Sequence, residues 1–118
     1  SIDLAFICDV YHHFEYPQAS LATLHRALKP GGEIVLIDFK RIAGESSDWV
    51  MSHVRAGQEV FESEVTAAGF EKISEVKDLL KENYIVKFRR KGFRPLFLWQ
   101  PLVYEVLAAG SYQQGEYL

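Results

Sequence analysis

The segment Asp9-Val10-Tyr11-His12-His13-Phe14 sets an aspartate, two adjacent histidines and two aromatic rings directly after the apolar run Leu4 to Cys8. A histidine near its ordinary pKa of about 6.5 can take a proton from an acceptor at neutral pH. Adjacent side chains diverge, so at most one of His12 and His13 faces a given site, and His12 is the favoured base. The competing reading is a histidine that packs against or caps a loop. Asp9 reads either as the anchor of the loop that follows or as a group lining a ligand. Tyr11 and Phe14 offer aromatic faces that a cation can meet, although rings beside a strand also fill cores. Asp38, at the end of a second apolar run, could join Asp9 and the histidines around a metal ion. The spacing does not demand it: there is no cysteine cluster and no histidine pair at helical spacing, so no metal is expected. Gly31-Gly32 precedes a strand instead of opening a helix, which makes it a turn and not a phosphate cradle.

The elements that must position these groups follow from the apolar pattern. Leu4 to Cys8 reads as a strand buried on both faces of a parallel sheet. Pro17 opens a helix with Leu21, Leu24 and Leu28 on one face and Gln18, Ser20, Thr23 and Arg26 on the other. Lys29-Pro30-Gly31-Gly32 stops it and leads into Glu33 to Phe39, whose Ile34-Val35-Leu36-Ile37 is again a doubly buried strand. Two such strands joined by a crossover helix must be parallel, with a right-handed connection. A polar loop to about Ser47 precedes a short helix near Asp48 to Ala56 and a longer one from Gln58 to Ala68, ended by Gly69. Phe70 to Val76 and Tyr84 to Phe88 are strands. The link between them is too short for a parallel crossover, so they form an antiparallel hairpin. The expected fold is therefore α/β over residues 1–91. Residues 92–118 form a separate aromatic-rich tail with a helix expected from Pro101 to Ala109.

Composition narrows the function classes. The 118 residues are 48% hydrophobic and 25% charged, which is the balance of an ordered globular chain. A net charge of -3 gives no general attraction to phosphate backbones, and the basic stretch Lys87 to Lys91 reads as a solvated strand edge. Neither nucleic acid nor membrane is an expected partner: Gln100 and Pro101 interrupt the greasiest run, Phe97 to Val103. One cysteine, Cys8, cannot form an internal disulfide, so a reducing cytoplasm is expected.

The order of elements, with Asp9 to Phe14 after one strand and Leu28-Lys29-Pro30-Gly31-Gly32 before the next, resembles class I S-adenosylmethionine-dependent methyltransferases of types 11 and 12. The resemblance covers about residues 1–91. The stretches 38–42, 49–50 and 53–57 are similar to a bacterial subgroup of that family. The resemblance implies the C-terminal half of a Rossmann-like methyltransferase sheet, methyl transfer to a small-molecule acceptor, and Cys8, Asp9, Val10 and Tyr11 lining the methionine end of S-adenosylmethionine. It implies His12 or His13 as the catalytic base. The family's Gly-rich loop is not in this sequence, which has no G-x-G, so the chain is expected to be an incomplete and inactive piece, or else a non-catalytic partner-binding module. The strand 4–8 is expected to be an open edge through which the chain could pair with a second copy or with its own tail.

Overall fold

The computed structural model describes residues 1–91; the tail and its expected helix lie outside the described residues. Strand β1 (Ile2–Cys8) leads through a single 3-10 turn (Tyr11–His13) to helix α1 (Pro17–Ala27) and strand β2 (Leu28–Phe39). Helices α2 (Asp48–His53) and α3 (Gln58–Ala67) follow, then strands β3 (Phe70–Val76) and β4 (Asn83–Arg90). The sheet order is β1-β2-β4-β3, with β1 parallel to β2 and both other pairings antiparallel. This is the expected mixed α/β fold, parallel strands joined by a crossover helix and closed by a hairpin.

Local chemistry accounts for the boundaries. Pro17 stands in the first turn of α1, where its missing N–H costs nothing, and the Ser47 hydroxyl accepts from the Val50 N–H to cap α2. Gly69, at φ +99°, breaks α3 from β3 with a backbone turn that a side chain would strain. The expected turn at Lys29 to Gly32 lies inside β2. Ile2 pairs with Leu28 and Leu4 with Glu33, so two residues of β1 span five of β2, and the surplus loops out around Gly31 at φ +78°.

The core lies on one face of the sheet. Ala5, Ile7, Ile34, Leu36, Val86 and Phe88 point into it from the strands, and Leu21, Phe61 and Val65 meet them from α1 and α3. Full burial of a ring such as Phe61 or Phe88 contributes on the order of 2–3 kcal/mol. The expectation of strands buried on both faces is corrected here. Leu4 is 51% and Phe6 64% exposed, and Val35 and Ile37 are only half-buried. Both described helices long enough to cover the sheet pack on the same side, so the alternate residues of β1 are exposed and those of β2 only half covered, although their types are those of a core.

A Cβ at position 69 would stand 2.9 Å from Nε2 of His25 as well as forcing a positive φ. Gly69→Ala is accordingly expected to cost about 1–3 kcal/mol, seen as a lower urea midpoint at unchanged m-value. An unchanged midpoint would contradict this packing.

Candidate functional site

The ends of β1 and β2 lie side by side, as the parallel pairing requires, and the chemistry-bearing residues gather there. The Asp9 N–H donates to the Ile37 carbonyl at 2.8 Å, extending the ladder by one residue. Asp9 then turns to φ +57°, a region that aspartate tolerates better than most residues and that non-glycine residues occupy at a cost of order 1–3 kcal/mol. Its Oδ1 accepts from Nδ2 of Asn83 at 2.7 Å, so β4 holds the turn across β2. Partial burial, and then the nearby Asp38 carboxylate, push the Asp9 carboxyl above its ordinary value, with His12 and the Asn83 hydrogen bond acting against them.

Asp38 is fully buried. Its Oδ2 accepts the His12 backbone N–H at 3.0 Å, and its Oδ1 lies 2.8 Å from Nδ1 of His12 and accepts the Phe39 N–H at 2.8 Å. Both the backbone and the ring of His12 are thus fixed by one carboxylate. A buried carboxylate beside Nδ1 selects the imidazole form that carries its proton there, which leaves the lone pair on Nε2. Nε2 is buried and has no hydrogen-bond partner. His13 is exposed, and its ring centroid is 4.2 Å from that of His12.

The remaining expected site residues separate. Cys8 is exposed on the open face of the sheet, where local desolvation, followed by Asp9 and Asp38, pushes its thiol up and keeps it protonated at neutral pH. Val10 is exposed beside it. Tyr11, expected to face the cofactor, is instead turned into the core with no exposed surface. Its ring packs on Phe14 and Phe61, and its hydroxyl donates to Oε1 of Glu64 at 2.8 Å. Arg55 grips the same carboxylate with two 2.8 Å hydrogen bonds and lies over the Tyr11 and Phe61 rings. Burial alone would raise the Glu64 carboxyl, but Arg55 and Tyr11 outweigh it and hold it below its ordinary value.

Asn83 and Glu64 were not legible as site residues. They lie 74 and 53 positions from their partners Asp9 and Tyr11, and nothing local marks them. No group of three or more metal-ligating side chains occurs among the described residues, and no described helix is long and apolar enough to cross a membrane.

Comparison with known proteins bears on the fold. A family model described as a methyltransferase domain matches residues 1–36. None of the curated proteins matches the chain. Among solved structures, the [4+2]-cyclase SpnF superposes with a TM-score of 0.65 at 14% identity, over 79% of this chain and 51% of that one. A candidate type 11 methyltransferase from Sulfolobus solfataricus gives 0.65 at 15%, over 80% and 53%. An S-adenosylmethionine-dependent methyltransferase from Mesorhizobium loti gives 0.58 at 19%, over 76% and 62%. The fold is that of the Rossmann-like methyltransferases, and the chain spans about half the length of the first two structures it matches.

The Glu64 network makes stability depend on pH with a definite sign. The folded carboxyl titrates below its unfolded value of 4.5, so its contribution is present above that pH and is lost as pH falls through the lower folded value. Glu64→Gln is expected to flatten the fall in urea midpoint below about pH 4.5; an identical acid slope would show that the network does not titrate as described.

Proposed function

We propose that this chain, with its methyltransferase-domain match over residues 1–36 and its Rossmann-like methyltransferase fold, is the acceptor-side part of a cytoplasmic enzyme that methylates a small molecule from S-adenosylmethionine. The observation that carries the proposal is the His12–Asp38 pair, a buried carboxylate and imidazole set at the ends of two parallel strands with Nε2 unpartnered. Ligands of doubly wound sheets sit at that end.

When bound, the cofactor supplies a methyl carbon already activated by the positive sulfur, so the protein's part is to position the acceptor and take its proton. His12 takes it on Nε2, and Asp38 holds the ring and stabilises the imidazolium that results. The strand end at Cys8, Asp9 and Val10 holds the methionine end of the cofactor. The strained turn at Asp9 and the exposure of Cys8 and Val10 support that reading, and the inward ring of Tyr11 removes Tyr11 from it. The exposed His13 ring lies beside that of His12, its plane tilted by 42°, and is the alternative proton acceptor at these strand ends.

The open face of β1 favours a second reading, a non-catalytic module that covers Leu4 and Phe6 with a partner or with a second copy of itself. Calorimetry separates the two. The isolated chain is expected to bind neither S-adenosylmethionine nor its demethylated product at micromolar levels; micromolar binding would overturn its incompleteness. In the complete enzyme, His12→Ala is expected to lower kcat by about 10²–10⁴ while leaving cofactor Kd within about threefold. Unchanged kcat would remove His12 as the base and favour the partner-binding module, for which sedimentation should show a dimer that Phe6→Lys dissociates.

A further inference from the structure

Five flat side chains run in an unbroken row across the strand ends, and the proposed reaction uses only one of them. The His13 ring lies 4.2 Å from His12, His12 is 5.8 Å from Phe39, Phe39 is 5.4 Å from Trp49, and Trp49 is 4.7 Å from His53, all between ring centroids. The row begins in the turn after β1, passes over the last residue of β2 and ends on α2.

Four of the five rings are held in place. Asp38 fixes His12, and Phe39 belongs to the sheet. Trp49 meets Phe39 edge to face and stacks on His53 with planes 17° apart. Nδ1 of His53 lies 2.9 Å from the Trp49 carbonyl and 3.0 Å from the Ser52 hydroxyl. Yet Trp49 is 49% exposed, so a large, pre-oriented aromatic surface is left in water a single ring away from the His12 imidazole. A rigid indole presents stacking area at little entropic cost, which suits a flat ligand.

Proton chemistry points to the same ligand class. A phenolic hydroxyl gives up its proton far more readily than an aliphatic one, because the charge left on oxygen spreads into the ring, so a neutral imidazole can accept it in the transition state. An imidazole base is therefore better suited to phenolic acceptors than to aliphatic alcohols.

We infer that the exposed surface of Trp49, beside Phe39 and one ring away from His12, is the seat of a planar hydroxylated aromatic acceptor, stacked on the indole with its hydroxyl toward Nε2 of His12. This rests on the reading of His12 as the base. In the transfer, the phenolic proton goes to Nε2 and an oxygen lone pair forms the new O–CH₃ bond. The C–S bond of the sulfonium donor breaks, and its electron pair stays on sulfur as a neutral thioether.

The seat is testable in the 118-residue chain without cofactor or turnover, so its failure is distinct from failure of the methyl-transfer reading. The chain has two tryptophans, and Trp99→Phe leaves Trp49 as the only indole N–H signal in a ¹⁵N correlation spectrum. 2-Naphthol is expected to shift that signal saturably, while cyclohexanol at equal concentration leaves it in place. Followed by the His53 ring protons, Trp49→Leu is expected to weaken 2-naphthol binding at least tenfold and Trp49→Phe by no more than about threefold, with the β4 amide signals unmoved as the control for folding. Equal response to cyclohexanol, naphthol binding that survives Trp49→Leu, or no saturable shift up to millimolar naphthol would each overturn the proposal.

Discussion

The buried carboxylate of Asp38 is the interaction on which the arrangement of the strand ends depends. It sits without solvent on the core side of β2 and accepts from the His12 amide, the His12 ring and its own neighbour Phe39. A charge taken out of water is tolerated only when its oxygens are engaged, and here the turn after β1 supplies two of the donors. The same contacts determine where His12 points and which of its nitrogens is left free. Breaking a buried pair of this kind typically costs about 3–5 kcal/mol, enough to unfold a chain of modest stability. The geometry of the site and the integrity of the fold are therefore one property.

A second network supports that turn from below. Tyr11 begins the same 3-10 turn that carries His12, but it plunges between α3 and the sheet, where Glu64 and Arg55 clamp its hydroxyl. Adjacent residues of the turn thus face opposite ways, one toward the strand ends and one into the core. The loop is short and still well held, because its two central side chains are each bonded to a different layer of the molecule.

Much of this was legible in the order of residues. The crossover helix from Pro17, the Gly69 break and the hairpin of β3 and β4 stand where periodicity and glycine put them, since each rests on local chemistry. Asp38 was visible as the acidic end of a strand, and His12 as the better placed histidine, but not their bond, which joins positions 26 residues apart. The orientation of Tyr11 depends on Glu64, and the hold on Asp9 depends on Asn83; both are long-range choices that no window of sequence contains. The strands were read as doubly buried because Leu4, Phe6, Val35 and Ile37 are core residue types. Residue type records what a position can bury, whereas exposure depends on which layers are present to bury it.

The loop-out at the start of β2 bears on how this sequence could vary over time. Between the Ile2–Leu28 and Leu4–Glu33 pairings the surplus residues leave the ladder, and the space where a Cβ of Gly31 would stand is empty. Residues gained or lost there are absorbed in the bulge before the continuous pairing from Leu4 onward begins. The register that brings Asp38 beside the turn after β1 is counted from that later point. The connection between α1 and β2 thus acts as a slack joint, free to change length across descendants of this chain while the end of the sheet that carries Asp38 keeps its alignment.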